Sequence, residues 1–214
     1  MNSTGYKKLT LGLIAVWFVF ALVAGATSVF TNAANRLGIA VAVGALVPLA
    51  IFVVWFGASA SFRQFAVSLN PRVLTAVQSW RLMGFTFVLL EAHRLLPALF
   101  ALPAGYGDMS VGATAAFVAW KSTDPAHRGR FIFWQVMGIA DLVTAVTLGT
   151  TVGLIEPNSV PMKLMTVLPL SLVPTFLVPL FTMFHVISIA QARAWKAPAE
   201  HVRTMPAPIQ HLAN

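Results

Sequence analysis

Arg81, Glu91, Asp141 and His185 stand inside long apolar runs, and His93, Arg94 and Asp108 lie close to the ends of such runs. A charged side chain near the middle of a bilayer costs about 2.5–3.5 kcal/mol on insertion scales, so each one needs a partner or a purpose. Position decides which of them can meet. Arg81 is eight residues into the run Val73–His93, and Asp141 is ten residues into Phe131–Leu154, both counted from the same side. At about 1.5 Å per helical residue their depths are about 12 and 15 Å, and their charges are opposite. The spacing predicts an Arg81–Asp141 pair, either as a clamp between two helices or as a proton or ligand site with Asp141 as the titrating member.

Two polar stripes accompany this pair. Ser171, Thr175, Thr182 and His185 recur at i, i+4, i+11 and i+14, and Asp141 and Thr144 share a face with Gly138. Lipid does not tolerate such stripes, so they are expected to face the bundle interior. Gln78, Arg81, Gln135, Asp141 and His185 would then line one inward-opening cavity. The hydroxyls by themselves carry little, since Ser and Thr readily bond to their own helix carbonyls.

A second cluster closes the third run. Glu91, His93 and Arg94 precede an apolar stretch, residues 95–108, that is broken by Pro97 and Pro103 and ends in Ala104-Gly105-Tyr106-Gly107-Asp108. It is too hydrophobic for a solvated loop and too interrupted for a helix, which predicts a re-entrant or unwound segment lining a cavity. Asp108 is then expected at the N-cap of a short fourth span, Met109–Trp120. Gly105 and Gly107 could expose backbone N–H groups there to an anion. Glu91 and Arg94, at i and i+3, are placed to satisfy each other. Together these residues define a candidate ligand or proton site of Arg81, Glu91, Arg94, Asp108, Asp141 and His185.

His93, Glu91 and Asp108 are also a candidate metal set, with donors suited to zinc, iron or copper. Its pattern is weak, because Glu-x-His does not put both ligands on one helical face. H-x-x-x-H and E-x-x-H are both absent from the sequence, which argues against a di-iron carboxylate bundle. A haem held by two histidines would need His93 and His185, which the topology puts near opposite membrane faces; a haem with one His or a Met ligand remains open. Cysteine is absent, which excludes disulfides, thiolate metal sites and iron–sulfur clusters. No nucleophile elbow, H-E-x-x-H or P-loop occurs.

The elements that must position these groups follow from composition. Of 214 residues 58% are hydrophobic and only 9% charged, far below the roughly 25% of a soluble domain, so the chain belongs in a lipid bilayer. Six runs are candidate spans: Leu9–Phe30, Gly38–Ala58, Val73–His93, the short Met109–Trp120, Phe131–Leu154 and Leu164–Ala190. With a cytoplasmic N-terminus, the inner connections carry Lys7, Lys8, Arg63, Arg72, Lys121, Arg128, Arg130, Arg193, Lys196 and Arg203, and the outer ones carry Arg36 and Lys163. That bias follows the positive-inside rule and puts both termini in the cytoplasm. The net charge of +8 is thus scattered anchoring charge, not a nucleic-acid face.

Lys7-Lys8, an apolar stretch and Ala24-Gly25-Ala26 resemble a secretory signal, but the run continues to Phe30, which favours an uncleaved helix. Residues 59–72 read as a short interfacial helix with Phe62, Phe65 and Leu69 on one stripe, ended by Pro71. No internal repeat supports an inverted-repeat transporter. The expected fold is an all-α integral membrane protein. It is a six-helix bundle over 1–196, partly re-entrant between helices three and four, with a polar cytoplasmic tail over 197–214.

Small-ligand or proton-coupled transport or sensing in a bacterial-type inner membrane is the leading expectation. A redox or hydrolytic enzyme holding a metal ion or haem, and an accessory subunit that pairs its charges with another membrane protein, are the alternatives. The expected partners are the bilayer, a small molecule or ion, and an oligomeric or membrane-protein neighbour.

Overall fold

An apolar run forms a helix because a helix satisfies its own backbone N–H and C=O groups where no water can. A computed structural model of the chain describes residues 3–31 and 38–195, and among them no strand forms. The helices are α1 (Ser3–Ala26), α2 (Ile39–Ala58), α3 (Ala60–Val67), α4 (Pro71–Ala76), α5 (Phe85–Ala92), α6 (Ala98–Lys121), α7 (Arg128–Ile155) and α8 (Val178–Ala194). A 3-10 segment, Val77–Gly84, joins α4 to α5, and a π-helical turn, Val173–Leu177, leads into α8. Five stretches are long and apolar enough to cross a membrane: Thr4–Ala26, Ile39–Ala58, Pro71–Ala92, Pro125–Ile155 and Val173–Ala194.

α6 differs from the expectation drawn from sequence. Residues 98–108 are not unwound; they form the first half of one 24-residue α-helix. Pro103 lies inside this helix, where neighbouring helices can compensate for the single N–H it lacks. Pro97, in an extended conformation, takes the N-cap position instead of Asp108, which lies mid-helix. The reversal from α5 to α6 needs only a few residues because α5 ends in a Schellman turn. Arg94 has φ 56°, its N–H donates to Glu91 O (2.6 Å), and Leu95 N–H donates to Leu90 O (2.8 Å). Glu91 and Arg94 form no ion pair among the described residues.

α6 packs along the whole of Pro71–Ala92 through a stripe of small buried residues: Ala101, Ala104, Gly105, Gly112 and Ala115. Small residues at such spacing let helix backbones touch, which is how helices gain contact where lipid supplies no hydrophobic force. A Cβ at Gly112 would overlap the backbone N of Leu82 and lie 2.9 Å from Arg81 C; one at Gly84 would lie 2.9 Å from Gly105 O.

The 3-10 winding has a matching consequence. With 3.0 residues per turn, residues three apart line up. Gln78, Arg81 and Gly84 are accordingly buried on one line, continued by Thr75 before the segment and Phe87 after it.

α3 is the short helix expected after α2, and Ser59 Oγ caps it by accepting from Phe62 N–H (3.2 Å). Its apolar stripe is buried in protein: Phe62 and Phe65 pack with Phe52, Leu74 and Ile187, and Tyr6 and Trp55 close over them. Pro71 does not simply end α3 but starts α4, with Asn70 as its cap. The sixth expected span begins later than Leu164. Residues 162–172 form a 3-10 turn (Met162–Thr166) and further turns, while α8 runs on to Ala194. The expected tail, 197–214, lies outside the described residues.

Gly112→Leu is expected to destabilise the protein by about 1–3 kcal/mol, because a side chain there must push two backbones apart. Gly12 has open space around its Cβ position, so Gly12→Leu should leave stability unchanged. Thermal unfolding in detergent compares the two; equal melting temperatures would refute the close-packing account.

Candidate functional site

Arg81 is the centre of the site. Its guanidinium is buried, with 1% of the side chain exposed, and donates in four directions. Nε–H donates to Asp108 Oδ1 of α6 at 2.6 Å. Nη2 donates to Asp141 Oδ2 of α7. Nη1 donates to the Gly138 carbonyl (3.3 Å) and lies 3.2 Å from Nε2 of His185 on α8. One side chain thus ties the third span to three other helices.

The donor set fixes the imidazole's arrangement. An arginine only donates, so His185 Nε2 accepts and its ring proton sits on Nδ1. That N–H donates to Gln135 Oε1 at 2.5 Å, and Gln135 Nε2 donates to Thr75 Oγ1 at 3.2 Å. Gln78 Nε2 donates to the Phe181 carbonyl (3.2 Å), which pins the same line of residues to α8. Thr75, Gln78, Gln135 and His185 are all essentially unexposed. The result is a continuous polar chain from Thr75 to the two carboxylates.

Glycines make room for it. A Cβ at Gly138 would overlap the His185 ring, and one at Gly107 would overlap the Asp141 carboxylate. The carboxylates are the less buried members, at 13% and 14% side-chain exposure. A cavity of about 60 Å³ opens beside Asp108, walled by Phe87, Phe100, Leu142, Met165 and Pro174. A cavity of that size admits a few waters, given that one needs roughly 10–15 Å³.

Residues 34–193 match the family model described as Domain of unknown function (DUF8737). The chain belongs to that family. No curated protein and no solved structure matches the chain. The matched region of this DUF8737 chain takes in every residue of the Arg81 cluster, while α1 precedes it.

The structure joins some of the residues singled out in the sequence and separates others. Arg81 and Asp141 pair, as their matched depths predict. Asp108 joins them, as a second carboxylate on the guanidinium and not as a helix cap. His185 joins as well, between Arg81 and Gln135, on the α8 face that packs against α7. Glu91 and Arg94 stay at the α5 turn, outside the cluster.

Glu91, His93 and Asp108 do not converge. Among the described residues no three His, Asp or Glu side chains are grouped to hold a metal ion. Both ring nitrogens of His185 already have partners, so it is not poised as a haem ligand.

The hydroxyl stripe is divided. Ser171, Thr175 and Thr182 are buried, and Thr175 and Thr182 bond their own helix carbonyls. Thr144 faces outward and does the same. Thr75 was not singled out in the sequence, although the recurrence Thr75, Gln78, Arg81, Gly84, Phe87 at intervals of three is visible there.

Replacing Arg81 by Leu leaves two carboxylates facing each other without a cation. Breaking a buried ion pair from one side typically costs about 3–5 kcal/mol. Arg81→Leu is expected to lower stability by that order, and adding Asp108→Asn and Asp141→Asn to it should restore most of the loss. Chemical unfolding of the single and triple variants in detergent provides the check. A stable Arg81→Leu single variant would show that the guanidinium is not the organising charge.

Proposed function

We propose that the Arg81–Asp108–Asp141–His185 cluster is an intramembrane proton site through which the protein passes protons across the membrane, and that this proton movement serves to move or sense a small ligand. The supporting observation is a charge count. One guanidinium faces two carboxylates, so with both ionised the buried cluster carries one surplus negative charge. An uncompensated charge away from water is expensive, and a proton shared by the carboxylates relieves it. Intramembrane ionisable groups facing a bundle interior commonly mark such paths. The small cavity at Asp108 gives water a place to deliver the proton. The Asp141–Arg81–His185–Gln135–Thr75 chain is a ready route for rearranging hydrogen bonds when the charge changes.

The same proposal makes α6 a sixth crossing. It is 24 residues long, about 36 Å as a helix, and lies against the full length of Pro71–Ala92. Away from its ends, its mean hydropathy is lowered most by Asp108, whose carboxylate faces Arg81 in the interior. Six crossings put both termini on one side, and the positive-inside rule makes that side the cytoplasm of a bacterial plasma membrane. Supporting this, segments rich in Lys and Arg meet at one end of the bundle. Arg72 Nε donates to Thr123 Oγ1 (3.1 Å), and Gln191 Nε2 donates to the Val67 and Leu69 carbonyls.

The test uses the full chain in proteoliposomes loaded with a pH-sensitive dye and subjected to a pH step. Wild-type protein is expected to dissipate the gradient, and Asp108→Asn and Asp141→Asn are each expected to abolish the flux while remaining folded by circular dichroism. If the wild type passes no protons across a range of pH steps, or if both Asn variants match it, the proton-site reading fails.

A further inference from the structure

A second cavity has no part in the Arg81 cluster. It is a lateral groove of about 830 Å³ between α1 and α2, backed by α8 and closed at one end by α3. Ligand sites typically measure about 300–1,000 Å³. The groove exists because α1 packs mainly on the π-helical turn and on α3. Trp17 Nε1 donates to Thr175 O (3.2 Å), and Trp17 and Phe18 pack on Phe176. At the other end Tyr6 stacks on Phe65. Between these two supports the walls are almost wholly apolar, as at Ile14, Val47, Ile51 and Phe184.

Two polar groups of the wall stand together at one end. Lys7 lies at the mouth, and Thr10 follows one turn deeper on the same face, with Ile14, Trp17 and Ala21 continuing the line at i+7, i+10 and i+14 from Lys7. Thr114, Thr144, Thr150, Thr151, Thr175 and Thr182 each donate to the carbonyl four residues back. Thr10 does not: its Oγ1 is buried and has no hydrogen-bond partner. The oxygen has almost no accessible surface as it stands, so rotation about χ1 is what turns it into the groove, where it suits a ligand carrying an acceptor at that depth.

We propose that this groove binds one anionic glycerophospholipid of the surrounding bilayer. The phosphate meets Lys7, an ester carbonyl accepts from Thr10 Oγ1, and one acyl chain runs along Ile14, Trp17 and Ala21. Length agrees with this assignment. From Lys7 to Ala21 the groove follows α1 for about 21 Å, more than the half-thickness of a roughly 30 Å hydrocarbon core that one leaflet's chain must fill. The order of groups agrees too, since in a glycerophospholipid the ester carbonyls lie just beneath the phosphate, as Thr10 lies beneath Lys7. Charge selects the headgroup, because Lys7 is the charged residue among the groove's lining side chains.

Native mass spectrometry of the full chain, released from detergent with equal phosphatidylglycerol and phosphatidylcholine added, tests this. One retained phosphatidylglycerol per chain is expected, in preference to phosphatidylcholine. Lys7→Gln should reduce that preference about fivefold, the effect of one basic residue near an anionic headgroup, and Lys7→Arg should keep it. Lys8→Gln, which lies off the groove, should change nothing, and Ile14→Trp, which fills the groove, should evict both lipids. Equal retention of the two lipids in every variant would mean loosely surrounding lipid only and would overturn the proposal. So would a chain that retains no lipid, or one that flies as a lipid-free dimer, whose second copy would then occupy the face.

Discussion

The bundle depends on meeting the hydrogen-bonding demand of one guanidinium away from water. Arg81 is an always-charged donor with a planar fork, and each unmet N–H in an apolar interior is costly. Its acceptors come from Asp108 on α6, from Asp141 and the Gly138 carbonyl on α7, and from His185 on α8. Sliding any of these helices by one residue breaks a contact that water cannot replace. Apolar packing between membrane helices is forgiving about register, because lipid competes for the same surface. The guanidinium supplies the specificity that such packing lacks.

Two backbone features serve that demand. The 3-10 segment keeps Thr75, Gln78, Arg81, Gly84 and Phe87 in one buried row. An α-helix, at 3.6 residues per turn, would rotate every third residue progressively out of the interface. Glycines then let partners come near enough: Gly84 and Gly112 bring α6 against the row, while Gly107 and Gly138 leave slots for Asp141 and His185. The π-helical turn before α8 falls in the same region of sequence as Ser171 and Thr175 and leans on α1 through Trp17 and Phe176. Irregular winding thus occurs where side chains of two helices must be aligned and not merely packed.

What could be read from the sequence was whatever scales with position along a straight helix. Arg81 and Asp141 could be paired because each is counted from the end of an uninterrupted apolar run at a fixed rise. Asp108 could not, because Pro103 and the glycines around Tyr106 look like breaks. In a bundle those same residues are tolerated and even useful, since small residues admit a neighbouring backbone. Moving Asp108 from a supposed cap to mid-helix turned a local hydrogen-bonding role into a long-range ion pair. His185 was recognised as interior, but its level rested on where α8 ends. α8 ends at Ala194, four residues or about 6 Å beyond the expected Ala190, so a depth counted from Ala190 puts the imidazole too shallow. Glu91, His93 and Asp108 stay apart for the converse reason: they are near in sequence, but the helical rise of α6 carries Asp108 away from the turn that holds Glu91 and His93.

The stoichiometry exceeds what a single ion pair requires. A clamp between two helices needs one carboxylate for one guanidinium, and even that pair gains little over well-packed apolar side chains, because desolvation offsets most of the attraction. Here a second carboxylate meets the same cation, and both are more exposed than the arginine they flank. The fold thus sets one carboxylate more than a single guanidinium can neutralise at a place that a cavity reaches from the Asp108 side. Neutralising that charge changes how many acceptors Arg81 has, and Arg81 in turn bonds the imidazole of α8 and the backbone of α7. A change of charge on either carboxylate would therefore be felt by each of the helices that Arg81 holds together.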